Sequence, residues 1–141
     1  RLECGYRHYG SDISNTDTPM EAGLEFLVDC DSDKRNTGKV SDLGSPGQVS
    51  GRRLMAFKIN DPDHFLHGKE PVYRGDKLIG SITSAAFGYT VGSSIGLGYI
   101  VLEDWDNNLA LSGADFQIGI AGEKVPASAS FEPLYKPRRN I

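Results

Sequence analysis

The stretch Arg1-Leu2-Glu3-Cys4-Gly5-Tyr6-Arg7-His8-Tyr9-Gly10-Ser11-Asp12-Ile13 packs two arginines, a glutamate, a histidine and two tyrosines into its first nine positions. Arginine offers a planar fork for a carboxylate or a polar heterocycle, and tyrosine offers a stacking face with a polar tip. Together they suit an anionic, ring-containing ligand. The same residues equally describe a buried polar network joining two domains, and residue chemistry alone leaves the two readings level. His8, between Tyr6 and Tyr9, reads as a packing residue of an aromatic cluster rather than an acid or base.

Other chemical candidates fall away on spacing. Asp29, Asp31 and Asp33 alternate like the first ligands of a calcium loop, but Lys34 stands where the loop needs glycine and Val40 where it needs a bidentate glutamate. Cys4 and Cys30 lie 26 positions apart without a Cys-x-x-Cys pair or neighbouring histidines. That disfavours zinc, and two ordinary thiols of a reducing compartment explain the count better than a disulfide. His64 and His67 flank Phe65-Leu66 with no carboxylate or third histidine completing a metal set. Arg74-Gly75-Asp76 spells an adhesion tripeptide, yet it sits where a hairpin needs its turn. There is no nucleophile elbow and no pair of carboxylates placed as acid and base. The expectation is a chain with no catalytic set of its own.

The elements that must position these residues are mostly strands. Asp17-Thr18-Pro19-Met20-Glu21-Ala22 has the cap, proline and acid of a short helical turn, and Gly23–Val28 reads as a short strand. Residues 29–51 are polar and glycine-rich and mark a boundary. Beyond it, Leu54–Ile59 has the apolar density of a buried strand. Pro71–Tyr73 and Lys77–Ile82 flank one turn, Phe116–Ile120 and Lys124–Ala127 flank another, Tyr99–Leu102 is a further strand, and Asp106-Asn107-Asn108 is a turn. The small-residue run 80–100 reads as packed strand, with Ile82, Phe87, Tyr89, Val91, Ile95, Leu97, Tyr99 and Ile100 as buried anchors. Its glycines Gly88, Gly92, Gly96 and Gly98 serve bulges, a tight turn and close backbone approach. A phosphate cradle would need a helix after Gly98, and none follows.

Five or six short strands predict a mainly β fold, a small antiparallel Greek-key β-barrel with a short α+β remnant ahead of it. At 141 residues the chain has room for one core. The start at Arg1, without methionine or lead-in, reads as the interior of a longer protein, so a fragment is expected. A net charge of −4 gives no electrostatic reason to expect nucleic acid, and no apolar stretch reaches the roughly 18 residues of a membrane span. Lys136, Arg138 and Arg139 form a small basic tail, whose plain reading is a solvated end.

Several blocks in order resemble one family. "RLECGYRHYGSDI" followed by "TPMEAGLEF" resembles the stretch of glycine-cleavage T-protein (aminomethyltransferase) relatives in which Arg-Leu-Glu leads to Tyr-Gly-x-Asp and Thr-Pro-x-Glu-Ala-Gly-Leu. "GRRLMAFKI", "GKEPVYRGDKLIGSITSAAFGYTVGSSIGLGYI" and "VPASASFEPLYKPR" look like that family's carboxy-terminal barrel, in the version at the end of flavin-dependent dimethylglycine and sarcosine dehydrogenases. The resemblance implies three segments. Residues 1–30 would be the tail of a central folate-binding domain, 31–51 a polar linker, and 52–141 the barrel domain.

By the same resemblance the parent protein moves a one-carbon unit from a methylated or aminomethyl donor onto tetrahydrofolate, with FAD in a dehydrogenase-type parent. Its partners would be the upstream domains of the parent chain, a folate and a methylated amine, in the cytoplasm or, in a eukaryote, the mitochondrial matrix. The family's catalytic aspartate falls upstream of Arg1. What carries over is cofactor binding by Arg1, of the Arg-Leu-Glu motif, with Tyr135 and Arg138 matching the aromatic, basic tail; Arg7, His8 and Tyr9 are expected to support the domain junction. Two departures stand out. Arg35–Asp42 replaces an apolar turn and helix, which leaves the packing of residues 1–30 on the barrel without its expected support and gives weight to a rival reading, a non-catalytic binding or scaffold module. Arg-Gly-Asp-Lys replaces the expected Arg-Asp-Gly-Lys, which moves the glycine one place and changes the turn type.

Overall fold

The computed structural model of the chain describes residues 1–28, 51–101 and 115–137. Asp29, Asp31 and Asp33, Cys30, the 35–42 segment, the 106–108 turn and Arg138 lie outside them. Six strands form a closed antiparallel barrel: β1 (Arg52–Ile59), β2 (Pro71–Arg74), β3 (Lys77–Gly88), β4 (Ser93–Val101), β5 (Phe116–Ile120) and β6 (Glu123–Ser130). The order around the barrel is β1-β4-β3-β2-β5-β6, and β1 also pairs with β6, so no edge is left open. The run 1-4-3-2 is the Greek-key arrangement expected from the sequence. Among the described residues no helix is long and apolar enough to cross a membrane.

β1 explains the closure best, because both its faces are buried. Met55, Phe57 and Ile59 join Val72, Ile82, Ile100, Phe116 and Ile118 in the interior. Leu54 and Ala56 point outward, where Ile95 and Leu97 of β4 meet Leu2. The segment 1–28 therefore lies on the outside of β1 and β4. It is fixed there by a hydrogen bond that the Leu54 amide donates to the Glu21 carbonyl at 2.8 Å, by ion pairing of Arg52 with Asp17, and by Arg53–Glu25 at 2.7 Å. The Arg52 guanidinium also lies 4.1 Å over the Tyr99 ring. These contacts supply the support that the sequence left without a visible source.

Glycine is required where strands crowd. A Cβ on Gly80 would sit 1.9 Å from the Tyr99 carbonyl oxygen, and one on Gly98 would sit 2.6 Å from that of Ser81. The run 80–100 is thus two packed strands joined by a four-residue loop between the paired Gly88 and Ser93. Both other hairpins have two-residue turns. Gly75 takes φ 62 at the first central position, as a type II′ turn requires. Ala121 and Gly122 take φ 51 and 85, the signature of type I′.

Three local expectations need correcting. Gly23–Val28 is no strand: Glu25–Leu27 form a 3₁₀ turn with Phe26 and Leu27 exposed, because a closed barrel offers no edge for it to pair with. Phe87 and Tyr89 are not buried anchors but 41% and 88% exposed, since they stand where β3 runs into its loop. His8 is exposed, with Tyr6 and Tyr9 exposed beside it in sequence, so it has no aromatic packing role. The turn at 18–22 is as expected. Thr18 and Glu21 form a capping box, the Glu21 amide donating to Thr18 Oγ1 at 3.2 Å and the Thr18 amide to Glu21 Oε2 at 2.9 Å.

Candidate functional site

The polar residues of the first segment converge on one buried carboxylate. Asp12 has a fully buried side chain, and its Oδ2 accepts from Arg1 Nη1 at 2.8 Å and from the His8 amide at 2.9 Å. Its Oδ1 accepts from the Thr83 hydroxyl at 2.6 Å. Burial pushes this carboxyl up, but hydrogen bonds from Ser84, Thr83, the His8 amide and Arg1 outweigh it and hold the group below the ordinary aspartate range. Asp12 is therefore an anion at neutral pH, and it ties the first segment to β3.

The β3 side of this contact depends on a bulge. Ile82 pairs with Gly98 and Ser84 with Leu97, so Thr83 is the extra residue. Two consecutive hydroxyls then reach the same neighbourhood. Ser84 Oγ accepts from Arg1 Nη2 at 3.1 Å and lies 3.2 Å from Ser11 Oγ, which itself lies 3.1 Å from His8 Nδ1. Arg1 Nη1 also donates to the Tyr6 carbonyl at 3.1 Å. The Nε hydrogen and the second Nη2 hydrogen of Arg1 have no partner among the described residues.

Arg1 is the rim of an open cavity of about 400 Å³ lined also by Leu2, Glu3, Ala85, Ala86, Phe87, Tyr89 and Ile95. Its side chain is 39% exposed. Phe87 stacks edge-on with Tyr89 at 5.2 Å and meets Phe65 at 6.1 Å, which makes an exposed aromatic ledge beside the guanidinium. Glu3 closes one side: its Oε1 accepts from the Thr90 and Val91 amides at 2.7 and 2.9 Å, and the Val91 amide foremost holds this carboxyl below its ordinary range. Glu3 thus anchors the β3–β4 loop that carries Tyr89. A guanidinium with two donors unclaimed among the described residues, beside aromatic faces, can receive a ring-bearing carboxylate.

Of the three residues expected to bind cofactor, Arg1 lines the cavity. Tyr135 is brought alongside by its amide, which donates to the Glu3 carbonyl at 2.9 Å, but it does not line the cavity, and Arg138 is outside the described residues. Arg7 stays within its own segment, donating to the Gly5, Ala22 and Gly23 carbonyls. His64, next to Phe65 in the chain, has two carboxylates near it, Asp61 at 3.0 Å and Glu123 at 3.6 Å. Among the described residues no three metal-binding side chains converge. Sequence reasoning missed Asp12, Thr83, Ser84 and the exposure of Phe87 and Tyr89. The Tyr-Gly-x-Asp spacing was the one available signal for Asp12.

Residues 52–136 match the model of the glycine cleavage T-protein C-terminal barrel domain. The chain is 32% identical over 138 residues to 4-methylaminobutanoate oxidase (formaldehyde-forming) of Paenarthrobacter nicotinovorans, covering 98% of this chain and 16% of the relative. It is 28% identical over 134 residues to mitochondrial dimethylglycine dehydrogenase of Rattus norvegicus, covering 95% and 15%. To the aminomethyltransferase of Thermosynechococcus vestitus it is 30% identical over 140 residues, covering 99% and 36%. The crystal structure of glycine cleavage system aminomethyltransferase T from Bartonella henselae shares the fold with a TM-score of 0.73 at 21% identity, over 96% of this chain and 37% of that one. The chain spans little more than a third of these relatives at most.

Proposed function

The chain belongs to the glycine cleavage T-protein C-terminal barrel family, and from that premise we propose that it completes a tetrahydrofolate site in an enzyme of one-carbon transfer. Residues 1–30 then form the tail of a central folate-binding domain and 52–141 the barrel that closes it. Aminomethyltransferases and dimethylglycine dehydrogenases are both among its relatives. A transferase parent would need the folate alone; a dehydrogenase parent would add FAD upstream. The donor is a methylated or aminomethyl amine in either case.

The single observation carrying this reading is Arg1 lining the cavity beside Phe87 and Tyr89, with two donors unclaimed among the described residues. Folate carries carboxylates and flat rings, the two features that such a site can engage. The folate's own chemistry is to accept the one-carbon unit. This chain's residues bind and orient: Arg1 meets negative charge, the aromatic ledge offers a stacking face, and the Glu3 anchor holds the loop that bears it.

Calorimetric titration of 5-formyltetrahydrofolate into the chain tests the reading. Saturable heat that falls at least tenfold in affinity for Arg1→Ala is expected, since a charge-assisted hydrogen bond is worth on the order of 1.5–3 kcal/mol. Binding that Arg1→Ala leaves intact would overturn it. One observation favours the scaffold reading as a second: three of the guanidinium's contacts are already internal, to Tyr6, Asp12 and Ser84. An absence of folate heat with a large loss of thermal stability in Arg1→Ala would select that reading.

A further inference from the structure

The barrel does more than cover the first segment. Arg1 has the long, flexible side chain whose direction costs most to fix, yet it is held at three points. Two of these depend on the β3 bulge. Thr83 holds Asp12 from below through Oδ1 while Asp12 holds Arg1 through Oδ2, and Ser84, the next residue, takes Arg1 Nη2 directly. A regular strand would send neighbouring side chains to opposite faces. The extra residue at 83 is what lets consecutive hydroxyls serve one guanidinium–carboxylate pair. The Thr83 hydroxyl is itself fixed, because it also lies 3.1 Å from the Leu97 carbonyl.

We propose that Asp12, Thr83 and Ser84 are positioning residues for Arg1: the bulge of β3 sets Asp12, and Asp12 with Ser84 turns the unclaimed edge of the Arg1 guanidinium toward the cavity. Their role toward a ligand rests on the folate reading; their role toward Arg1 does not. The Nη1 side of the guanidinium is consumed by Tyr6 and Asp12, which among the described residues leaves Nε and one Nη2 hydrogen as the edge available to a carboxylate. Without Asp12 the long side chain would sample several rotamers, and binding would have to select one of them.

Two measurements on the whole chain separate the positioning role from mere support. Nitrogen-detected NMR of the arginine side chains reads whether the Arg1 guanidinium rotates freely. Distinct, slowly exchanging Nη signals are expected for the wild type and for Thr83→Ser. Averaged signals are expected for Asp12→Asn and Thr83→Val. In parallel, titration with 5-formyltetrahydrofolate should show about tenfold weaker binding for Thr83→Val, near wild-type binding for Thr83→Ser, and no further loss when Thr83→Val is added to Arg1→Ala. If Asp12→Asn fails to fold, the Thr83 pair carries the test. Unchanged Arg1 signals in Thr83→Val would overturn the proposal whatever the titration gives. An equal loss of binding with and without Arg1 would do the same. Averaging of the signals without any folate binding in the wild type would uphold the positioning and defeat the folate reading instead.

Discussion

The inside of the barrel and the junction outside it are built on opposite principles. Inside, Phe57 and Phe116 meet edge to face at 6.0 Å amid Val72, Ile82, Ile100 and Ile118, and volume alone decides what fits. At the junction a buried carboxylate is satisfied by an amide, a hydroxyl and a guanidinium, and direction decides. The first arrangement makes a stable body and tolerates apolar exchange. The second tolerates little, and it is the one beside the cavity.

Truncation in the interior should have the largest effect. Phe57→Ala removes a fully buried ring and should cost about 3–5 kcal/mol in chemical denaturation, whereas Phe57→Leu should cost clearly less; equal losses would mean that the interior is as exacting as the junction. Asp12→Ala should come next, at about 2–3 kcal/mol, because Thr83 and the His8 amide lose a charged acceptor. The burial of Asp12 and the half-exposure of Arg1 place this below the cost of breaking a wholly buried ion pair.

Acid should sharpen the contrast further. The folded-state Asp12 is depressed, so its contribution is fully present above the ordinary aspartate value of about 3.9 and is lost as pH falls through that value toward the lower folded one. Thermal melts of the wild type should therefore lose stability over that interval more steeply than those of Asp12→Ala. Parallel curves would mean that the junction is not where the acid sensitivity lies. The smallest effect is a gain. Ala121 holds a left-handed φ of 51 in a turn that favours Asn-Gly, so Ala121→Asn should add about 0.5–1 kcal/mol without touching either region.

The interior was legible in the sequence because its signals are local. Leu54–Ile59 is apolar enough to be buried on two faces, and Gly75 and Gly122 mark their turns wherever the strands end up. The junction was not legible, for a reason that can be located. Ile82 and Ala85 both pack toward the interior although three residues apart, since the bulge at Thr83 breaks the two-residue period. Alternation therefore assigns Ser84 and Phe87 without knowing of the shift. Asp12 carries little local mark of burial, because only its His8 partner is near in the chain, while Arg1 and Thr83 lie 11 and 71 positions away. Arg1 was legible only through its motif. Of the contacts that fix its direction, the one to Ser84 lies 83 positions away in the chain and exists only in the folded structure.

Amide chemical-shift mapping of the chain as 5-formyltetrahydrofolate is added would test the placement of the site most directly. The expected result is a saturable set of shifts confined to Leu2, Glu3, Ala85–Tyr89 and Ile95, the walls of the Arg1 cavity. Shifts gathered instead at the other end of β3, around Asp76 and Lys124, or none at any concentration, would contradict it.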